Sequence, residues 1–164
     1  MSETQETIRL QPGDKAPDLV LVDQQGNSFT LADHTGERVI VYFYPKAETP
    51  GCTKESCDFR DNLSALTGHG YTVVGVSPDK PEKLESFNAN HSLGFTLLSD
   101  PTKQTMAAWG AFGEKKNYGR VVQGVIRSTF VIDKEGVIEH AMYNVKATGH
   151  VARVLKTLGV DDNS

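Results

Sequence analysis

Residues 38–57 read RVIVYFYPKAETPGCTKESC. The run from Arg38 to Pro45 is dense in β-branched and aromatic residues with no polar alternation, the pattern of a central strand covered on both faces. A Thr-Pro-Gly approach follows. From Cys52 onward the apolar positions Phe59, Leu63 and Leu66 recur at helical spacing until Gly68 and Gly70 close the segment, which predicts a helix of about four turns. Both cysteines of the chain, Cys52 and Cys57, fall in this strand–turn–helix unit.

Outward from that unit the pattern continues. Upstream, APDLVLVDQQGNSFTL alternates apolar and polar residues on either side of Gly26-Asn27, which predicts an N-terminal β-hairpin. Residues 1–9 are polar apart from Ile8 and read as a flexible arm. Downstream, YTVVGVSPD reads as a buried strand, KPEKLESFNANH as a helix opening at Pro81, and FTLLSD as a third strand. DPTKQTMAAWGAFG predicts a short helix started by Asp100-Pro101, followed by a loop rich in Lys, Asn and Gly. GVIRSTFVIDKEGVIEHAMYNV predicts a hairpin around Lys134-Glu135-Gly136, and GHVARVLKTLGV an amphipathic terminal helix with Val151, Val154, Leu155 and Leu158 on one side. Alternating strands and helices ending in a hairpin and a helix indicate an α/β sheet covered by helices on both faces. A chain of 164 residues fits one domain, over residues 10–160.

Composition excludes several function classes. Seventeen basic against twenty-one acidic residues leave a net charge of −4, with no basic stripe for a nucleic-acid backbone. No apolar run approaches the roughly 18 residues needed to span a bilayer, and the N-terminus lacks the basic start and apolar core of a secretory signal. The expected compartment is the cytoplasm. Two cysteines there are poor candidates for a permanent staple, which raises a transient, reactive or metal-bound role.

A lone cytoplasmic cysteine is more often inert packing than catalysis. The position of Cys52 argues otherwise. It opens a helix directly after a strand and a Pro/Gly turn, where unpaired N–H groups and the helix dipole favour a thiolate. On a helical wheel it lies within about 40° of Phe59, Leu63 and Leu66, so its sulfur points toward the protein body. Cys57 is some 140° further round, with its Cα roughly 8–9 Å from that of Cys52. A disulfide tolerates about 4.4–6.8 Å, so an intact helix cannot hold one between them. The spacing either carries no meaning or encodes a switch in which the first turns melt.

The segment FYPKAETPGCTKESCDFRD, Phe43 to Asp61, resembles the active-site segment of the peroxiredoxins, in particular the peroxiredoxin Q or bacterioferritin comigratory protein group. Its pattern Pro-x-x-x-Thr-x-x-Cys is met by Pro45, Thr49 and Cys52. Arg127 in GVIRSTFVID matches an arginine that the family keeps on a strand facing the reactive cysteine, and GVSPD and FGEKKNYG extend the likeness over about residues 10–158. The resemblance implies a thioredoxin-like fold, a central mixed β-sheet flanked by helices, and a thiol peroxidase acting on hydrogen peroxide and small organic hydroperoxides. It implies Cys52 as the peroxidatic sulfur, oxidised to a sulfenic acid. Thr49, backbone N–H groups around Gly51 and Arg127 would be donors to the developing charge, with Pro45 as a shield against water and Glu55 as the carboxylate that orients the arginine. Cys57 would be the resolving cysteine of an intramolecular disulfide, recycled by thioredoxin or a glutaredoxin-like dithiol. No cofactor is implied, and resolution within one chain implies a monomer. Trp109 and Phe112 depart from the expected aromatic order, which bears on substrate preference if those rings line the entrance.

Other readings are weaker. A thiol-disulfide oxidoreductase would be expected to carry the closer C-x-x-C pair; a non-enzymatic redox sensor would oxidise once without turnover. Metal binding would need His34, His69, His91, His140 or His150 beside the cysteines, and no histidine pair has ligand spacing, so these read as surface or core residues. No glycine fingerprint for a flavin or nicotinamide follows a strand, and serine hydrolase signatures are absent.

Overall fold

The computed structural model of the protein describes residues 10–117 and 120–160; the arm read for residues 1–9 lies outside them. The axis is β3 (Arg38–Phe43), whose residues after Arg38 are all buried. It pairs in parallel with β4 (Tyr71–Ser77) and antiparallel with β8 (Ser128–Ile132). Beyond β4 lie β5 (Thr96–Ser99) and the N-terminal hairpin of β1 (Val20–Asp23) and β2 (Ser28–Thr30), while β9 (Ile138–Met142) closes the other side. Among the described residues this is a seven-stranded mixed sheet in the order β2-β1-β5-β4-β3-β8-β9.

Strand alternation divides the β3 side chains between two cores. Ile40 and Tyr42, with Tyr44 just beyond the strand, join a cluster with α1 (Pro50–Asp61), α2 (Leu63–Gly68), α3 (Pro81–His91) and α5 (His150–Leu158). Val39, Val41 and Phe43 join the opposite cluster, which holds Leu19, Leu31 and the short helix α4 (Gln104–Ala108) through Met106. Both faces are covered, as the unbroken apolar run requires.

Four elements differ from their sequence reading. The long helix breaks at Asn62, because the Asn62 side-chain amide donates to the Asp58 carbonyl at 2.9 Å and its backbone N–H turns to Phe59, the local competition that short polar side chains offer a helix. Helix α4 starts at Gln104 rather than at Asp100-Pro101. Lys103 sits at φ 65°, and Asp100 reaches past the turn to accept from Met106 N–H at 2.9 Å. The expected loop contains a two-stranded ribbon, β6 (Phe112–Asn117) with β7 (Arg120–Val125); its polar composition gave no period-2 signal. Arg127 belongs to the short link between β7 and β8, not to a strand.

Gly75 in β4 marks a close approach. A Cβ there would lie 2.8 Å from Cζ of Tyr42, a fully buried ring whose hydroxyl is bonded to Ser56 at 2.7 Å. Gly75→Ala is expected to destabilise the protein by about 1–3 kcal/mol through overpacking, read as a lower midpoint in urea; an unchanged midpoint would show that Tyr42 can yield.

Candidate active site

The loop after β3 is built to present the start of α1. Tyr44 N–H donates to Val76 O at 3.0 Å, extending the parallel pairing one residue past the strand. Pro45, half-buried and without an N–H, follows. The loop is then tied down by Asp79 from GVSPD: its Oδ2 accepts from Ala47 N–H at 2.7 Å and from Ser77 Oγ at 2.8 Å. Thr49 is the extended residue before the helix and Pro50 begins it, a placement proline tolerates because the first N–H groups have no intrahelical acceptor. The first helical bond runs from Thr53 N–H to Thr49 O at 2.8 Å, which leaves the N–H groups of Gly51 and Cys52 without an acceptor within the helix.

The Cys52 sulfur is fully buried and lies 3.4 Å from Nη2 of Arg127. Nη1 of the same guanidinium meets Glu55 Oε1 at 2.6 Å. One cation therefore holds two residues three apart on one face of α1. Gly51 makes the approach possible, since a Cβ there would stand 3.3 Å from Nη2. Burial is the largest influence on Glu55 and outweighs Arg127, pushing the carboxyl up to about 7; its second oxygen has no hydrogen-bond partner among the described residues. Burial works against the Arg127 charge, yet Glu55 and Cys52 together hold its pKa above the ordinary value. Tyr44 packs in the same cluster as Cys52, its hydroxyl beside Ser77 without completing a hydrogen bond.

Thr49 behaves differently from its expected role as a donor. Its hydroxyl proton goes to Lys46 O at 2.8 Å, so what it has left to offer is a lone pair. Trp109 is fully buried in the opposite core, with Phe112 packed against that cluster, so neither ring belongs to the Cys52 cluster. Cys57 is half-buried against that cluster, and both thiols are free in a continuous α1.

Two contributors escaped the sequence reading. Asp79 lay in a quoted motif whose Ser-Pro-Asp run signals a side-chain-stabilised turn. His150 enters the sequence reading only among the histidines without ligand spacing, with no signal of a place beside this site. It opens α5 almost fully buried, sharing a 2.7 Å hydrogen bond between Nε2 and Thr129 Oγ1. Burial first, then Arg127 and Arg153, hold its pKa down at about 4. The segment before it touches the site: Val145 N–H donates to Arg127 O at 3.0 Å, and a Cβ on Gly51 would lie 3.7 Å from the Ala147 methyl. Among the described residues no three His, Cys, Asp or Glu side chains are grouped to hold a metal ion, and no helix is long and apolar enough to cross a membrane.

Residues 12–141 match the model of the AhpC/TSA family. The chain is 62% identical over 154 residues to a Mycobacterium tuberculosis protein with a provisional peroxiredoxin name, covering 94% of this chain and 98% of that one. It is 46% identical over 149 residues to peroxiredoxin Bcp of Escherichia coli K12, covering 91% and 96%. Among solved structures, the Xanthomonas campestris bacterioferritin comigratory protein, described for its alkyl peroxide reduction activity, superposes with a TM-score of 0.82 at 34% identity, covering 94% and 98%.

Glu55 and His150 make opposite demands on pH. The raised carboxyl contributes stability at acid pH that is lost as pH climbs from about 4.5 through about 7. The depressed imidazole contributes stability at neutral pH that is lost as pH falls from about 6.5 through about 4. Between about pH 4.5 and 6.5 the two slopes offset. Glu55→Gln should therefore unmask a loss of stability toward acid, and His150→Asn a gain, in urea midpoints measured across that window. Parallel curves for both variants and the parent would exclude these two groups as the titrating pair.

Proposed function

The chain belongs to the AhpC/TSA family, that of the thiol-dependent peroxidases called peroxiredoxins, and from that premise we propose that Cys52 is its peroxidatic sulfur and Cys57 its resolving partner. The observation that carries the assignment is the Arg127 guanidinium, 3.4 Å from the Cys52 sulfur at the first turn of α1. A fixed cation and the unpaired helix N–H groups are donors already aimed at negative charge on that sulfur.

The thiolate attacks one oxygen of the peroxide in line with the O–O bond. A new S–O bond forms as O–O breaks, and the leaving oxygen takes a proton to depart as water or alcohol. Negative charge moves from sulfur along the S–O–O axis. Arg127 and the N–H groups of Gly51 and Cys52 meet that charge with donors already in place, the arrangement that gives electrostatic catalysis its magnitude. The Thr49 lone pair accepts from the peroxide O–H and orients it, Pro45 limits water, and Glu55 positions Arg127.

Cys57 then displaces the hydroxyl of the sulfenic acid. The disulfide forms, and the hydroxyl leaves as water with the proton of the Cys57 thiol. A dithiol protein of the thioredoxin or glutaredoxin type returns two electrons through a mixed disulfide. Resolution needs nothing from a second chain, which supports a monomer as the working unit, and a reducing cytoplasm is the compartment that suits such recycling. The substrates are hydrogen peroxide and small organic hydroperoxides.

Three variants test the scheme in stopped-flow peroxide consumption with thioredoxin and its reductase. Cys52→Ser should abolish activity. Cys57→Ser should consume one equivalent and then stall. Arg127→Ala should slow the first step by about 100-fold or more, the usual cost of a lost oxyanion donor. Undiminished turnover by Cys52→Ser would refute the assignment of Cys52, and fast exchange with protein disulfides beside slow peroxide consumption would favour a thiol-disulfide oxidoreductase.

A further inference from the structure

Glu48 lies in the loop between β3 and α1 at φ 68°, a left-handed backbone that a residue with a side chain adopts at a cost. What that conformation accompanies is a contact with the C-terminal end of α3. Asn90 Nδ2 donates to Glu48 Oε2 at 2.8 Å, and His91 Nε2 meets Glu48 Oε1 at 2.9 Å. These bonds, from His91 first and then Asn90, hold the Glu48 carboxyl below the usual range. The same end of α3 takes a second tether from the last turn of α1, where Arg60 Nη1 donates to His91 O at 2.7 Å. Residues 48–60, which include both cysteines, are thus fastened to Asn90 and His91 on either side.

That geometry opposes the resolving step. Both cysteines lie within a continuous α1, and five residues of intact helix keep their Cα atoms about 8–9 Å apart, beyond the reach of a disulfide. The helix has to unwind, and unwinding works against the tethers at its two ends. We propose that the contact of Glu48 with Asn90 and His91 is a latch on resolution, making Glu48 a positioning residue that holds α1 wound during peroxide attack and sets how fast Cys57 reaches the Cys52 sulfenic acid. The inference rests on the two-cysteine scheme above. The latch is exposed, so its strength is that of a surface pair and its effect is a few-fold change in rate. That is enough to matter, because the sulfenic acid waits either for Cys57 or for a second peroxide that takes it to sulfinic acid.

Glu48→Ala, Asn90→Ala and the double variant test this by rapid mixing of reduced protein with hydrogen peroxide, following tryptophan fluorescence and, after acid quench, the free thiols. Peroxide attack should stay within about two-fold of the parent. Disulfide formation should accelerate by about two- to five-fold in Glu48→Ala, less in Asn90→Ala, and no further in the double variant, since the two substitutions release one latch. Sulfinic acid at high peroxide, measured by mass, should fall in the same order, and Glu48→Gln should lie nearer the parent. Disulfide formation at the parent's rate in both single variants, even with lowered thermal stability, would overturn the latch. No loss of thiols in the parent itself would instead overturn the peroxidase scheme.

Discussion

The site depends on one partly buried cation shared by two groups on the same helix. Arg127 could not be desolvated alone at tolerable cost; it is accommodated because Glu55 and Cys52 flank it on the first two turns of α1. The same pairing explains why the carboxyl is raised rather than lowered. One oxygen of Glu55 is bonded to the guanidinium, but the other is buried without a partner, and burial of that charge costs more than the single ion pair returns. Arg127 is thereby left with charge to offer the sulfur. The backbone follows: Gly51 leaves room for the guanidinium, and Val145 fixes the carbonyl of Arg127.

Holding the sulfur this firmly conflicts with forming a disulfide. α1 is pinned along its inner face by Phe59 stacked on Tyr42 at 4.6 Å and by Ser56 bonded to the Tyr42 hydroxyl, and at its ends by the contacts to α3. In the proposed scheme a wound helix aims the Cys52 sulfur and supplies N–H donors, and an unwound one lets Cys57 approach, so its two chemical steps need different structures of the same segment. A helix of modest length, with ends held by exposed side chains rather than by core burial, can alternate between them at a cost of a few kcal/mol.

β3 links these features to the fold. Its alternation sends Tyr42 and Tyr44 toward α1 and Val41 and Phe43 toward the opposite core, and its parallel neighbour β4 supplies both Gly75, which admits the Tyr42 ring, and Ser77, which joins Asp79 in fastening the loop. His150, its pKa held down by burial and then by Arg127 and Arg153, adds no positive charge of its own beside the guanidinium at neutral pH.

Local architecture and the placement of the two cysteines were legible in the sequence. An unbroken β-branched and aromatic run reads as a strand buried on both faces, and Pro-Gly before an apolar 3.6-residue period reads as a helix start, which set Cys52 at a helix N-terminus. The five-residue spacing likewise decided that Cys57 could not be bonded to it in a wound helix. What tertiary structure alone decided is everything that depends on partners remote in the chain. Arg127 faces Cys52 across a separation of 75 residues, and residue type without an approach geometry did not say that it would do so from a link rather than a strand. The break at Asn62, the commitment of the Thr49 proton to Lys46, the place of Trp109 in the far core and the reach of Glu48 to α3 each turn on which donor finds which acceptor first. Hydrophobic period reports which face is buried, but hydrogen bonds are directional and short, and their pairing exists only once the chain has folded.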